Sequence, residues 1–236
     1  MCGRYVAPDE ASLERHYHLG RHNWSGWVAR WNLGPTMRVP IVFAPQGEPV
    51  GELARWGLIP SWWSKEALPT LSFNARSEEA AAKPMWRQGL RSARCLMPAR
   101  GWYEWNEHEP VRTVTGRKAN QPYYFHSPDS DVVSIAGLWS TWRGPDGADV
   151  LSCALLTREA APGIAGIHHR MPVVLAPAAY AAWLAPQTPA AEVAALIAGS
   201  RGDFIAHRVS TRVNGTREDR PELIDEVPPA TEDASP

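Results

Sequence analysis

The chain alternates short apolar runs with polar, glycine- and proline-rich breaks. Period-two and continuous apolar runs rich in Val, Ile, Leu, Tyr and Trp predict strands at 38–43 (RVPIVF), 52–58 (ELARWGL), 94–98 (RCLMP) and 102–106 (WYEWN). Further strands are expected at 122–126 (PYYFH), 132–139 (VVSIAGLW), 150–157 (VLSCALLT) and 172–175 (PVVL). Helical spacing predicts helices at 9–19, 76–83, 84–91, 177–184 and 189–199, the last two opening on Pro and Ala. Strands and helices do not follow a βαβ rhythm. The expected fold is α+β, a mostly antiparallel sheet or barrel-like core with peripheral helices. The end of the chain, PPATEDASP at 228–236, is Pro-rich, acidic and poor in apolar residues, and is expected to be disordered.

Composition narrows the function classes. The chain has 236 residues, enough for a sizeable core in one large domain or two small ones. With 24 Lys+Arg against 25 Asp+Glu, a generally basic coat for nucleic acid is excluded, while a local basic groove is not. Lysine stands only at 65, 83 and 118, so arginine supplies most of the positive charge. Arginine favours bidentate phosphate recognition, although a GC-rich genome produces the same bias. No apolar run has the length of a membrane helix, and the first residues lack the layout of a secretion signal. The expectation is a soluble cytoplasmic protein, nucleoid-associated if bacterial.

The three cysteines cannot build a disulfide framework, and no pair has metal-ligand spacing. No metal or cofactor is expected. Cys95 (ARCLMP) and Cys153 (LSCALL) sit in apolar runs and read as buried strand residues. Of the 12 tryptophans, most are expected in the core and some on a platform for stacked bases.

Cys2 is different, because it directly follows the initiator methionine. Removal of Met1 would leave an α-amine and a thiol on one residue. Such a 1,2-aminothiol condenses with an aldehyde to an imine, and the thiol then closes a five-membered thiazolidine. Alternatively the thiol attacks a carbonyl while the amine acts as base. An α-amino group titrates at about 7.7–8.0, so part of it is neutral and nucleophilic at neutral pH.

Cys2 also opens an ordered set of blocks: MCGRY at 1–5, NLGPT at 32–36, RWGLIPSW at 55–62, SFNARSE at 72–78 and RCLMPARGWYEW at 94–105. AGLW at 136–139, LLT at 155–157, IHHRMPVVL at 167–175 and VSTRVNGTREDRPELI at 209–224 complete it. The set closely resembles the SOS response-associated peptidase (SRAP) family, the abasic-site processing proteins. The resemblance runs over 1–227, which is therefore expected to be one SRAP-like domain. It implies a protein that binds single-stranded DNA at an abasic site and cross-links to the lesion through its N-terminal Cys, giving a thiazolidine that shields it. Removal of its own Met1 and abasic-site lyase activity are also implied. The protein is expected to act as a monomer, with replication-fork proteins as candidate further partners.

The resemblance assigns roles residue by residue. Cys2 carries over as the nucleophile. Asn74 matches the family's active-site Asn, whose amide can donate to a sugar oxygen and accept from the α-amine; otherwise it is a turn residue. Glu104, between Tyr103 and Trp105, matches the active-site Glu. Desolvation there would raise its pKa toward a range useful for moving protons; simple strand alternation would instead point it outward. His168 matches the catalytic His, able to protonate O4′ as the sugar opens or to remove a proton in β-elimination. His169 receives no role. Arg4, Arg76 and Arg170 each stand two residues beyond a proposed catalytic position, on the same face of an extended segment, and are expected to contact phosphates. Trp62 matches an aromatic that contacts DNA.

Two other readings stay open at this level. Class II glutamine amidotransferases also begin Met-Cys-Gly, so an N-terminal-nucleophile amidohydrolase is one. A noncatalytic single-strand binder using Trp stacking and Arg contacts is the other.

Overall fold

The computed structural model describes residues 2–70 and 72–229. Beyond Pro229, the tail expected at the end of the chain lies outside the described residues.

In chain order the strands are β1 (Arg4–Ala7), β2 (Arg30–Leu33), β3 (Arg38–Phe43), β4 (Val50–Trp56), β5 (Asn74–Arg76), β6 (Arg94–Ala99), β7 (Gly101–Arg112), β8 (Lys118–His126), β9 (Val133–Arg143), β10 (Asp149–Glu159), β11 (Arg170–Pro172), β12 (Val174–Leu175) and β13 (Ile205–Arg208). The helices are α1 (Glu10–Tyr17), α2 (Ser77–Ala80), α3 (Pro84–Ser92), α4 (Pro162–Ala165), α5 (Tyr180–Leu184) and α6 (Ala190–Ala198).

One sheet runs β13-β8-β7-β1-β2 and is antiparallel throughout. In the other, β10 pairs with β4 and β9, β4 with β3, β3 with β6, and β6 with β9. These strands close on themselves as a barrel, which leaves no open edge among them. Among the described strands, only β4 and β5 run parallel to a neighbour, β10 in both cases. The fold is thus the expected mostly antiparallel, barrel-like core with helices around it.

The main core joins both sheets. Tyr5 meets Trp56 edge-on at 5.3 Å between ring centroids, and Trp102 stacks on Phe125 at 5.4 Å. Cys95 and Cys153 are fully buried in β6 and β10, as the apolar runs predict. Arg94 is also buried, at 2% exposure. Its Nε donates to Trp183 O at 2.7 Å and its Nη1 to Leu90 O and Arg91 O at 2.8 and 2.6 Å, while Nη2 donates to Ala185 O. One guanidinium thereby closes the C-terminal ends of α3 and α5.

Local chemistry sets the ends of the elements. Asp9 caps α1 by accepting from Ser12 N at 2.8 Å, and His18 ends it in the left-handed region, so this helix is shorter than the pattern at 9–19. The helix expected over 76–83 is a single turn. Arg76 still pairs in β5, and Lys83 is extended because Pro84 follows it. The strand expected to reach residue 58 stops at Trp56, since Gly57 turns the chain at φ 138°. The runs at 177–184 and 189–199 do form helix, the first as a 3₁₀ turn leading into α5.

Candidate active site

The sheet register brings distant segments of the chain together. β1 pairs with β7 so that Arg4 faces Tyr103 and Tyr5 faces Trp102. Glu104 is therefore carried toward the residues that precede β1. Gly101 permits the close strand contact this needs, because a Cβ there would stand 2.2 Å from Phe125 O. On the other sheet, Asn74 pairs with Leu155 of β10, and Arg170 pairs with Glu159 of the same strand. β10 thus holds the Asn74 and His168 segments on either side of itself.

The side chains converge. Asn74 Nδ2 donates to Cys2 O at 2.8 Å, across a sequence separation of 72. Asn74 Oδ1 is buried with no hydrogen-bond partner among the described residues, which leaves an acceptor for an amine or hydroxyl. Glu104 Oε2 lies 3.6 Å from His168 Nε2. His168 Nδ1 sits within 2.9 Å of Arg170 O and 3.1 Å of Arg170 N, so a tight turn fixes the ring. Nδ1 donates to Arg170 O in one tautomer and accepts from Arg170 N in the other, so the turn orients the ring in either and Nε2 faces Glu104. His169 stacks on His168 at 4.6 Å. Cys2 is fully buried, Glu104 is 1% exposed and His168 is 7% exposed.

Burial governs the electrostatics. It pushes the Glu104 carboxyl from an ordinary 4.5 up to about 7. The alternation that would have turned Glu104 outward is not realised, since β7 is buried on both faces from Gly101 to Glu104. Burial, and after it the negative charge of Glu104, lifts the Cys2 thiol well above its ordinary value. Burial lowers His168, so its imidazole is neutral at neutral pH. The cluster therefore holds a carboxyl that both donates and accepts a proton near pH 7 and a thiol that stays protonated until that proton is accepted.

The arginines are placed differently from one another. Arg4 Nη1 donates to Asn32 Oδ1 at 2.8 Å and to Val213 O at 2.9 Å, which ties β1 to the loop around 213. Asn32 in turn donates to Val213 O, Gly215 O and Glu218 O. Arg76 is exposed and lies 3.7 Å from Glu79. Arg170 is bound to Glu78 and Thr157. Trp62 is 52% exposed, tilted against Trp63, beside a cavity of about 350 Å³ lined by Pro60, Pro84, Gln88 and Trp139 among others. None of Cys2, Asn74, Glu104 and His168 lines that cavity. The sequence reading passed over Asn32, Glu78 and Thr157, although each stands inside one of the blocks that carry the resemblance. Among the described residues, Glu10, Glu14 and His22 form a group with metal-ligand atoms within 4.8 Å of one another. Glu10 already accepts from Gly26 N and Glu14 pairs with His22.

Cys2, Asn74, Glu104 and His168 thus come together where the barrel meets the second antiparallel sheet. The model of the SOS response associated peptidase (SRAP) family matches residues 1–216, and the chain belongs to that family. It is similar to the abasic site processing protein YoqW of Bacillus subtilis, 30% identical over 95% of this chain and 99% of that one. Abasic site processing protein YedK of Escherichia coli is 30% identical over 85% of this chain and 86% of its own. HMCES of Gallus gallus, also an abasic site processing protein, is 29% identical over 95% of this chain and 77% of its own. The fold matches a crystal structure of a protein from Bacteroides thetaiotaomicron, with a TM-score of 0.78 at 22% identity, covering 96% of this chain and all of that one. No helix among the described residues is long and apolar enough to cross a membrane.

Proposed function

We propose that the protein processes abasic sites in single-stranded DNA by covalent capture, through Cys2 freed as the N-terminal residue when Met1 is removed. The observation that carries this reading is the convergence of Cys2, Asn74, Glu104 and His168 from four separate segments, with Glu104 lifted to about 7. The names of the relatives support the lesion as substrate.

The chemistry follows from the groups present. The open form of an abasic sugar carries an aldehyde. His168, neutral at this pH, serves the opening by taking the proton of the C1′ hydroxyl and handing it to the ring oxygen as the C1′–O4′ bond breaks. The Cys2 amine adds to the aldehyde carbon, Glu104 delivers a proton to the departing hydroxyl, and water leaves as the imine forms. The Cys2 sulfur then bonds to the same carbon. Its proton passes through Glu104 to the imine nitrogen, and the thiazolidine closes without further loss. The high thiol pKa makes this order sensible: the amine attacks first, and the thiol is deprotonated only as it bonds. Asn74 holds the Cys2 carbonyl and offers Oδ1 to the amine. In this reading Glu104 also activates water for Met1 removal, and His168 serves β-elimination when the strand is cut. Arg76 and Trp62 face solvent and take the flanking phosphates and a base. The protein acts as a monomer on DNA in the cytoplasm, where proteins of the replication fork are its candidate neighbours. The amidohydrolase alternative rests on Met-Cys-Gly alone, whereas the family match spans 1–216.

The test is incubation with uracil-containing single-stranded DNA treated with a glycosylase, followed by a denaturing gel. A heat-stable shifted band with wild type and none with Cys2→Ala is expected. Equal bands from both would refute the reading, and glutaminase activity without a band would favour the amidohydrolase.

A further inference from the structure

The first turn of α2 carries two adjacent carboxylates, Glu78 and Glu79, and each meets an arginine assigned above to phosphate. Glu79 lies a loose 3.7 Å from Arg76 and also pairs with Lys83. The Glu78 contact is of another kind. Arg170 Nη1 donates to Glu78 Oε1 at 2.8 Å, and Nη2 donates to Oε2 at 2.9 Å, two parallel bonds in a fork-on-fork arrangement. Arg170 holds the Glu78 carboxyl below its ordinary value, chiefly through these bonds.

Two features separate this pair from an ordinary surface bridge. First, a guanidinium fork takes carboxylate and phosphate in the same bidentate geometry, so Glu78 sits where a phosphate would sit. Second, the two partners differ in freedom. The Arg170 side chain is 11% exposed and anchored on its inner side by Thr157 O at 2.9 Å and Thr157 Oγ1 at 3.2 Å. Glu78 is 48% exposed. If the pair opens, the glutamate leaves and the arginine stays. Arg170 is also the residue whose backbone fixes the His168 ring, so its fork stands at a set place relative to the candidate site.

We propose that Glu78 is a built-in competitor for DNA phosphate, occupying the Arg170 fork in the free protein and yielding it to a phosphate beside the lesion. The inference rests on the DNA-binding reading given under Proposed function. It has a defined consequence. Each strand must displace a carboxylate before Arg170 contributes, so DNA that presents no phosphate at that point gains nothing from Arg170. Glu78 also keeps the fork ordered before DNA arrives, which lowers the ordering cost of the contact when it forms.

The experiment is a double-mutant cycle in fluorescence anisotropy. Its parent is Cys2→Ala, so that no covalent capture distorts the equilibrium, and its probe is single-stranded DNA bearing a tetrahydrofuran abasic analogue, titrated at several salt concentrations. Glu78→Gln should bind about fivefold tighter, the scale of a half-exposed ion pair. Its log–log salt slope should steepen by about 0.7, one phosphate contact no longer offset by a released carboxylate. Combined with Arg170→Ala, the gain should vanish. Glu78→Asp keeps the charge with a shorter reach, and should move affinity in the same direction by a smaller factor. Unchanged or weaker binding by Glu78→Gln would overturn the inference and make Glu78 a brace. A gain that persists in full with Arg170→Ala would also overturn it, because Glu78 would then act only as a negative charge near the DNA. Failure of the Cys2→Ala parent itself to bind would fall on the DNA reading, and on this inference through it, and is told apart because no variant comparison is needed to see it.

Discussion

Glu104→Gln isolates the electrostatic strain of the buried carboxyl in the candidate site. Burial moves the Glu104 carboxyl from 4.5 to about 7, and a tenfold change in proton affinity corresponds to about 1.4 kcal/mol. Keeping Glu104 ionised in the folded protein therefore costs about 3 kcal/mol once the pH is well above 7. The sign follows from proton counting. Between about pH 4.5 and 7 the folded state holds the proton and the unfolded chain has released it. Stability falls as pH rises through that window and levels off on both sides. Glutamine has no proton to lose and removes this slope. Relative to wild type, Glu104→Gln should gain about 3 kcal/mol between pH 4.5 and 8.5, which in a chain of this size is a relative rise in Tm of about 6–12 °C. Any fixed cost of burying the amide cancels, because only the difference between the two pH values is read. Thermal melts of both proteins across that range give the difference curve. A flat curve would refute the reasoning, since Glu104 would then titrate as an ordinary carboxyl. The same variant should cross-link about 10²–10⁴-fold more slowly and retain Met1 in part of the population.

Other outcomes follow from the same geometry. Cys2→Ser keeps the amine, so it should form an imine that borohydride traps, with little stable ring product on a denaturing gel. His168→Ala should slow sugar opening or strand cleavage by about 10²–10⁴-fold in single-turnover assays, with DNA affinity nearly unchanged. Burial holds the His168 imidazole below its ordinary 6.5, so wild type should lose stability as the pH falls through and below that value. His168→Ala should show less of that loss in melts between pH 7 and 5. Arg94→Met leaves the carbonyls of Trp183, Leu90, Arg91 and Ala185 without their shared donor. It should cost about 3–5 kcal/mol, or about 6–20 °C in Tm, with no direct effect on the candidate site.

Much of the architecture was legible in the chain because the barrel strands are long and apolar. VVSIAGLW and VLSCALLT announce β9 and β10, whose faces are covered on both sides. β1 and β2 were not legible. Each is four residues long, RYVA and RWNL, and each mixes charge with apolar side chains, so no period is visible. Their strand character comes from pairing with β7 and with each other, a long-range effect. β13 escaped for the same reason, being formed by its partner β8. At the candidate site, residue types could be read from Cys2, Asn74, Glu104 and His168, but not their surroundings. Alternation left the orientation of Glu104 open, and the packing of two sheets settled it as buried. The contact from Asn74 to Cys2 and the fork from Arg170 to Glu78 join residues 72 and 92 apart, beyond any local pattern. The spacing rule that placed three arginines on one face described their backbones. It could not say that Arg4 closes a loop through Asn32 and Val213, that Arg170 is anchored on Thr157, and that Arg76 reaches solvent.

The central claim is that the bond to the lesion forms at Cys2, through both its nitrogen and its sulfur, in a chain that has lost Met1. Mass spectrometry of the purified adduct with abasic single-stranded DNA tests it most directly. The intact adduct should weigh the sum of the chain without Met1 and the DNA, less one water, and peptide mapping should place the link on the peptide beginning at Cys2. The adduct should survive heat without borohydride. A link on a lysine or on an internal cysteine, or an adduct that still carries Met1, would contradict the account.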